Sequence, residues 1–147
     1  MRNKLLILLL TFACAGWPLG RAQSNAPEPA RVIELTADKD SRYRQGGRAS
    51  PTLTARAREP LILRITAVPA KTVARDGSVH GLALLDKNLD AVPGWRFLLH
   101  PGVQDLAVTA PSQPGRYSAV CIVICSDNHE GMGFTLVVTD AKTNPKE

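Results

Sequence analysis

Thr52-Leu53-Thr54-Ala55-Arg56-Ala57-Arg58-Glu59-Pro60-Leu61-Ile62-Leu63-Arg64-Ile65 is the stretch that sets the fold class. Thr52 to Arg56 alternates polar and apolar residues, the period of a strand with one buried face. Glu59-Pro60 reads as a turn, and Leu61 to Ile65 resumes as a second, mostly apolar run. Working outward, similar short runs occupy Arg31 to Leu35, Val79 to Leu85, Trp95 to Leu99, Val103 to Thr109, Arg116 to Ile124 and Met132 to Thr139. Pro93-Gly94, Pro101-Gly102 and Pro114-Gly115 punctuate them. No stretch carries a helical stripe. Seven or eight short strands, with turn signals about every ten residues, predict an all-β chain: an antiparallel β-sandwich with Greek-key connections.

The chain has 147 residues and a formal net charge of +5, which fits one domain and is too short for two ordinary ones. Residues 1–22 read as a signal peptide. Arg2 and Lys4 precede a short apolar run from Leu5 to Ala13, and Gly20-Arg21-Ala22 offers small residues for cleavage. The run is short of the roughly 20 residues that a membrane span needs, so an uncleaved N-terminal anchor is disfavoured and no stable span is expected; Thr11-Phe12-Ala13-Cys14 lacks the aliphatic residue that usually stands three before a lipidated cysteine, which disfavours a lipid anchor. Residues 23–30 read as a linker, 31–140 as the folded domain and 141–147 as a tail. Removing the signal takes away Arg2, Lys4 and Arg21 and no acid, leaving 15 basic side chains against 13 acidic ones. The basic balance is therefore mostly a targeting device. Arg42, Arg44, Arg48, Arg56, Arg58, Arg64, Lys71 and Arg75 form a local excess, read as a solvated face in preference to a docking patch for an acidic partner. No aromatic residues interleave with it, and no nucleic-acid partner is expected.

Cys14 falls in the signal, so export leaves Cys121 and Cys125 in an oxidising compartment. A disulfide is one reading. Four residues of extended chain span roughly 13 Å, whereas bridged Cα atoms lie about 5.5 Å apart, so it would need a sharp turn. The other reading takes the whole segment Cys121-Ile122-Val123-Ile124-Cys125-Ser126-Asp127-Asn128-His129-Glu130-Gly131-Met132, which sets two thiols, an imidazole and a thioether in one loop between strands. Thiolates and thioethers select copper(I), and imidazole also suits copper. One cysteine is enough for a mononuclear blue site, whereas two thiolates can bridge two copper ions. His80 and His129 would then be the terminal imidazoles. Met132 would be one weak ligand, and a backbone carbonyl of the cysteine loop, with Val123 first choice, would be the other.

The loop resembles the CuA motif of cytochrome c oxidase subunit II and nitrous oxide reductase. The likeness covers Val32 to Thr139, faint at first and strong from His80 onward. It implies a cupredoxin-like fold and a mixed-valence dicopper centre that transfers single electrons. Carried residue by residue, Cys121 and Cys125 bridge, His80 and Met132 complete one copper, and His129 with the Val123 carbonyl completes the other. Asp90-Ala91-Val92-Pro93-Gly94 looks like the family's connecting loop. Two positions depart: Val123 stands where oxidase subunits usually carry a magnesium-holding glutamate, and Ser126 stands where glycine is common.

The expected function is thus that of an exported, periplasmic electron-transfer protein with two copper ions, a relay or accessory of a respiratory-type chain. On its own it is not expected to be an enzyme, although the resemblance allows a subunit of a copper oxidase or reductase. The alternative is a periplasmic copper trafficking or buffering protein that uses the same ligands. The expected partner is a redox donor or acceptor in the first case and a copper-delivery protein in the second. Ile122, Ile124 and Phe134 are expected to exclude water from the centre.

Overall fold

The computed structural model describes residues 28–141. The expected signal peptide, residues 23–27 of the linker and residues 142–147 of the tail lie outside the described residues. Ten strands follow in order: β1 (Arg31–Ala37), β2 (Tyr43–Gln45), β3 (Arg48–Ala49), β4 (Thr52–Arg56), β5 (Pro60–Ala67), β6 (His80–Leu85), β7 (Ala91–Leu99), β8 (Gly102–Thr109), β9 (Gly115–Val120) and β10 (Gly133–Thr139). One 3-10 turn, His129–Gly131, interrupts the loop before β10. Among the described residues, no helix is long and apolar enough to cross a membrane.

The strands form two five-stranded sheets, ordered β3-β2-β1-β5-β8 and β4-β10-β9-β6-β7. The chain changes sheet between β3 and β4, β4 and β5, β5 and β6, β7 and β8, and β8 and β9, so the two layers are interleaved along the sequence. Alternation does the packing. Leu53 and Ala55 of β4, Leu61, Leu63 and Ile65 of β5, and Phe134, Leu136 and Val138 of β10 turn inward, with less buried residues between them. Burying one such side chain is worth about 1.5–3 kcal/mol, so the repeated pattern specifies which face of each strand meets the other sheet.

Three expectations are corrected. Both sheets are mixed, because β1 runs parallel to β5, from Arg31 opposite Leu61 to Ala37 opposite Ala67, and β4 runs parallel to β10. Side-chain alternation reports which face is buried and is blind to strand direction. The described residues also form ten strands instead of seven or eight, since β2 and β3 are only three and two residues long and too short to show a period. The Ala91–Gly94 stretch belongs to β7 and is not a connecting loop; the turn before it is Asp86–Asp90, closed by Asp86 N–H donating to the Asp90 carbonyl at 2.9 Å.

Four of the eight basic side chains of the arginine-rich segment are paired with acids from outside it. Arg64 pairs bidentately with Asp105 at 2.8 and 2.7 Å, Lys71 meets Asp127 at 2.9 Å, Arg44 meets Asp38 and Arg56 meets Glu28. The pairs of Arg64 and Lys71 are well exposed, so solvent screening leaves them little weight in stability. Glu59 is different because its carboxylate is buried. It accepts from Arg31 Nε at 2.6 Å and from the Arg56 backbone N–H at 2.7 Å, joining the start of β1 to the β4–β5 turn. Burial alone would raise its pKa, but these donors outweigh burial and hold it below the ordinary value. A folded-state pKa below the unfolded one stabilises the fold at neutral pH, and that stability drains away as pH falls through the depressed value. Glu59→Gln is therefore expected to lose about 1–3 kcal/mol at pH 7. The gap from the parent should shrink toward pH 3 in denaturant titrations, and a pH-independent gap would contradict the ionic account.

Candidate metal centre

The site lies where the loop between β9 and β10 folds back over the start of β6. Cys121 N–H donates to the Met132 carbonyl at 3.0 Å and closes the base of the loop. Cys125 N–H donates to the Val123 carbonyl at 2.8 Å, a tight turn that brings both cysteine side chains to one side. Thr72 N–H then donates to the Cys125 carbonyl at 2.9 Å and anchors the loop to the segment between β5 and β6. The two sulfurs end 3.9 Å apart, both cysteines free and both buried. The sharp turn that a disulfide would require is present, but the sulfurs are not bonded.

His80, the first residue of β6, is fully buried. Its Nε2 lies 2.8 Å from the Val68 carbonyl. A carbonyl only accepts, so Nε2 carries the proton and Nδ1 keeps its lone pair. That Nδ1 is buried with no hydrogen-bond partner. Ligand atoms of His80, Cys121 and Cys125 all lie within 4.8 Å of one another. Burial lowers the His80 pKa, partly opposed by the Val68 bond, so the imidazole is neutral, as a metal ligand must be. Burial likewise pushes the Cys121 thiol above its ordinary value. Thiolate–metal bonds are about 2.3 Å long, so two sulfurs sharing one ion can be at most roughly 4.6 Å apart. The observed spacing meets that limit. An orphaned imidazole nitrogen beside two buried sulfurs is a donor set that fits a soft ion such as copper.

The other expected ligands are placed less tightly. His129 is partly exposed and stands outside the three-residue cluster, although its Nδ1 is also buried without a hydrogen-bond partner. Met132 is completely buried at the foot of the loop, and its N–H donates to the His129 carbonyl at 3.0 Å. The Val123 carbonyl points into the cysteine turn, accepting from Cys125 N–H and, at 3.3 Å, from the Cys121 thiol. Of the apolar residues expected to exclude water, Phe134 is buried and Ile122 half-buried, but Ile124 is 71% exposed and faces solvent between the two cysteines.

Sequence reasoning missed three supports. Tyr43, on the two-residue-period blind spot of β2, donates from its buried hydroxyl to the Gly81 carbonyl at 2.6 Å and packs edge-on against Phe134. Its pKa is raised well above the ordinary value, by burial first and then by the neighbouring cysteines, so it remains a donor. Val68 supplies the carbonyl that sets the His80 tautomer. Ser41 reaches the sulfur of Cys125. Gly81 was missed as well, although an isolated glycine inside a strand is a signal for a close backbone approach.

No family model matches the sequence, and no protein of the curated set matches it. Solved structures do. The chain is similar to auracyanin B at 18% identity and a TM-score of 0.52, covering 78% of this chain and 92% of that one. It is similar to auracyanin A, described as a blue copper protein of Chloroflexus aurantiacus, at 16% identity and a TM-score of 0.51, covering 76% of this chain and all of the other. A chain of a heme-copper terminal oxidase dimer overlaps at 17% identity, but with a TM-score of 0.48, and this chain spans only 65% of its length. The two auracyanin likenesses establish the class: the chain has the cupredoxin fold. Identities this low carry the fold and no more.

Proposed function

We propose that this chain is an exported electron-transfer protein whose Cys121 and Cys125 thiolates bridge two copper ions in a centre of CuA type. The carrying observation is the pair of buried, unbonded sulfurs 3.9 Å apart beside the open Nδ1 of His80. His80 would hold one ion, with Met132 as its weak ligand. His129, whose Nδ1 is buried without a hydrogen-bond partner, and the Val123 carbonyl would hold the other. Copper bound there would supply one-electron exchange spread over two metals. The protein's part is rigidity: the loop base, the Thr72 anchor and the Val68 bond keep the donors in place, so little has to move when an electron arrives. A redox protein is the proposed partner and the periplasm the proposed location.

One observation favours a second reading, periplasmic copper trafficking or buffering. His129 outside the cluster leaves a compact set of two sulfurs and one nitrogen, which also suits a single copper(I) ion. Metal analysis and EPR of the mature chain separate the two. Two copper ions per chain, with hyperfine structure shared by both nuclei, is the expected result. One silent copper(I) that passes to an apo acceptor would overturn the electron-transfer proposal.

A further inference from the structure

Ser41 sits in the turn between β1 and β2, far in sequence from the cysteine loop, and is completely buried. Its backbone is left-handed, at φ 56°. A non-glycine residue in that region brings its Cβ too close to the following carbonyl oxygen, a strain that the surroundings must over-determine. They do so here. Asp38 accepts from the backbone N–H groups of Asp40 and Arg42, both at 2.9 Å, and Ser41 N–H donates to the Asp38 carbonyl at 3.1 Å. The hydroxyl thus held inward lies 2.6 Å from Ser126 Oγ and 3.4 Å from Cys125 Sγ. Ser126 Oγ in turn accepts from Asn128 N–H at 3.1 Å.

Proton counting gives this cluster a direction. Each hydroxyl donates once. A metal-bound thiolate only accepts, so the Ser41 proton goes to the sulfur. With the Ser41 proton committed to sulfur, the 2.6 Å contact between the hydroxyls requires Ser126 to donate to Ser41, while Ser126 Oγ accepts from Asn128 N–H. We infer that Asn128, Ser126 and Ser41 form a directional hydrogen-bond relay that ends on Cys125 Sγ and sets the electron density of that one bridging sulfur. Ser41 is a positioning and tuning residue in this relay. The inference rests on the copper reading above.

Sulfur carries more negative charge when the centre is reduced, so donation to it favours the reduced state, and each donor in a chain polarises the next. Ser41→Ala is expected to weaken reduction by up to about tenfold in the equilibrium constant, a fall of about 59 mV for one electron. It should also move the sulfur-to-copper absorption to longer wavelength. Ser126→Ala should shift both the same way by less. The double variant should match Ser41→Ala, because Ser126 acts only through Ser41. Should Ser41→Ala fail to fold, Ser41→Gly removes the hydroxyl while relieving the left-handed backbone. A merely structural Ser41 would lower thermal stability and leave potential and absorption where they were; that result, or additive single effects, overturns the relay. If the parent protein takes up no copper, the copper reading and the relay both fall. A normal parent with unmoved serine variants sinks the relay alone.

Discussion

Replacing Cys125 by serine is expected to cut copper uptake from two ions to at most one per chain and to erase any EPR pattern shared by two nuclei. The sulfur is fully buried, and Cys121 Sγ lies 3.9 Å away. Serine offers a harder oxygen that does not ionise near neutral pH, so it cannot bridge as a thiolate does. The fold should survive. The exchange is nearly isosteric, the backbone bonds of Cys125 to Val123 and Thr72 are untouched, and Ser41 stays within reach of the new hydroxyl. Loss of the paired centre with a near-parental thermal midpoint would thus separate ligation from packing. Cys121→Ser should do the same damage, because a bridge has no leading partner. The double variant should then lose little more than either single one. A parental spectrum in either single variant contradicts bridging.

The parts of this molecule legible in the sequence are those where cause and effect lie close along the chain. Leu53 and Ala55, or Phe134, Leu136 and Val138, announce their strands because burial repeats every second residue. Cys121, Cys125, His129 and Met132 announce a ligand loop because one turn of chain carries them all. What was hidden depends on contacts across the fold. Nothing local in Ser41 or Tyr43 says that they meet Cys125 and Gly81, across 84 and 38 residues. Strand direction was hidden for a related reason, since the parallel pairings of β1 with β5 and β4 with β10 are set by crossovers. His129 shares the motif with the cysteines and opens the 3-10 turn His129–Gly131, outside the mutual cluster of His80, Cys121 and Cys125.

Gly81→Ala is expected to open the site from the opposite side. An alanine Cβ there would stand 2.5 Å from Ile122 Cγ1, 3.1 Å from Val123 Cγ2 and 3.4 Å from the Ile122 backbone nitrogen. The first contact is impossible as it stands. It involves Cγ1, one arm of a β-branched side chain that is stiff at χ1, and the Ile122 backbone nitrogen lies close by as well. β6 cannot retreat, because it is paired with β7 on one edge and β9 on the other, and Tyr43 holds the Gly81 carbonyl. The cysteine loop must therefore lift away from His80, the neighbour of Gly81, and the sulfurs go with it. Overpacking of this kind costs about 1–3 kcal/mol, and copper affinity should fall at least tenfold as the three donors separate. Gly94→Ala is the matched comparison. No atom lies within 4 Å of its Cβ position, but φ there is +78°, so it should cost roughly 1–2 kcal/mol through the backbone alone and leave copper binding at the parental level. Thermal midpoints and copper affinities of the two variants, read side by side, decide the matter. If Gly81→Ala binds copper as tightly as Gly94→Ala, the close approach of β6 to the cysteine loop is not what assembles the centre.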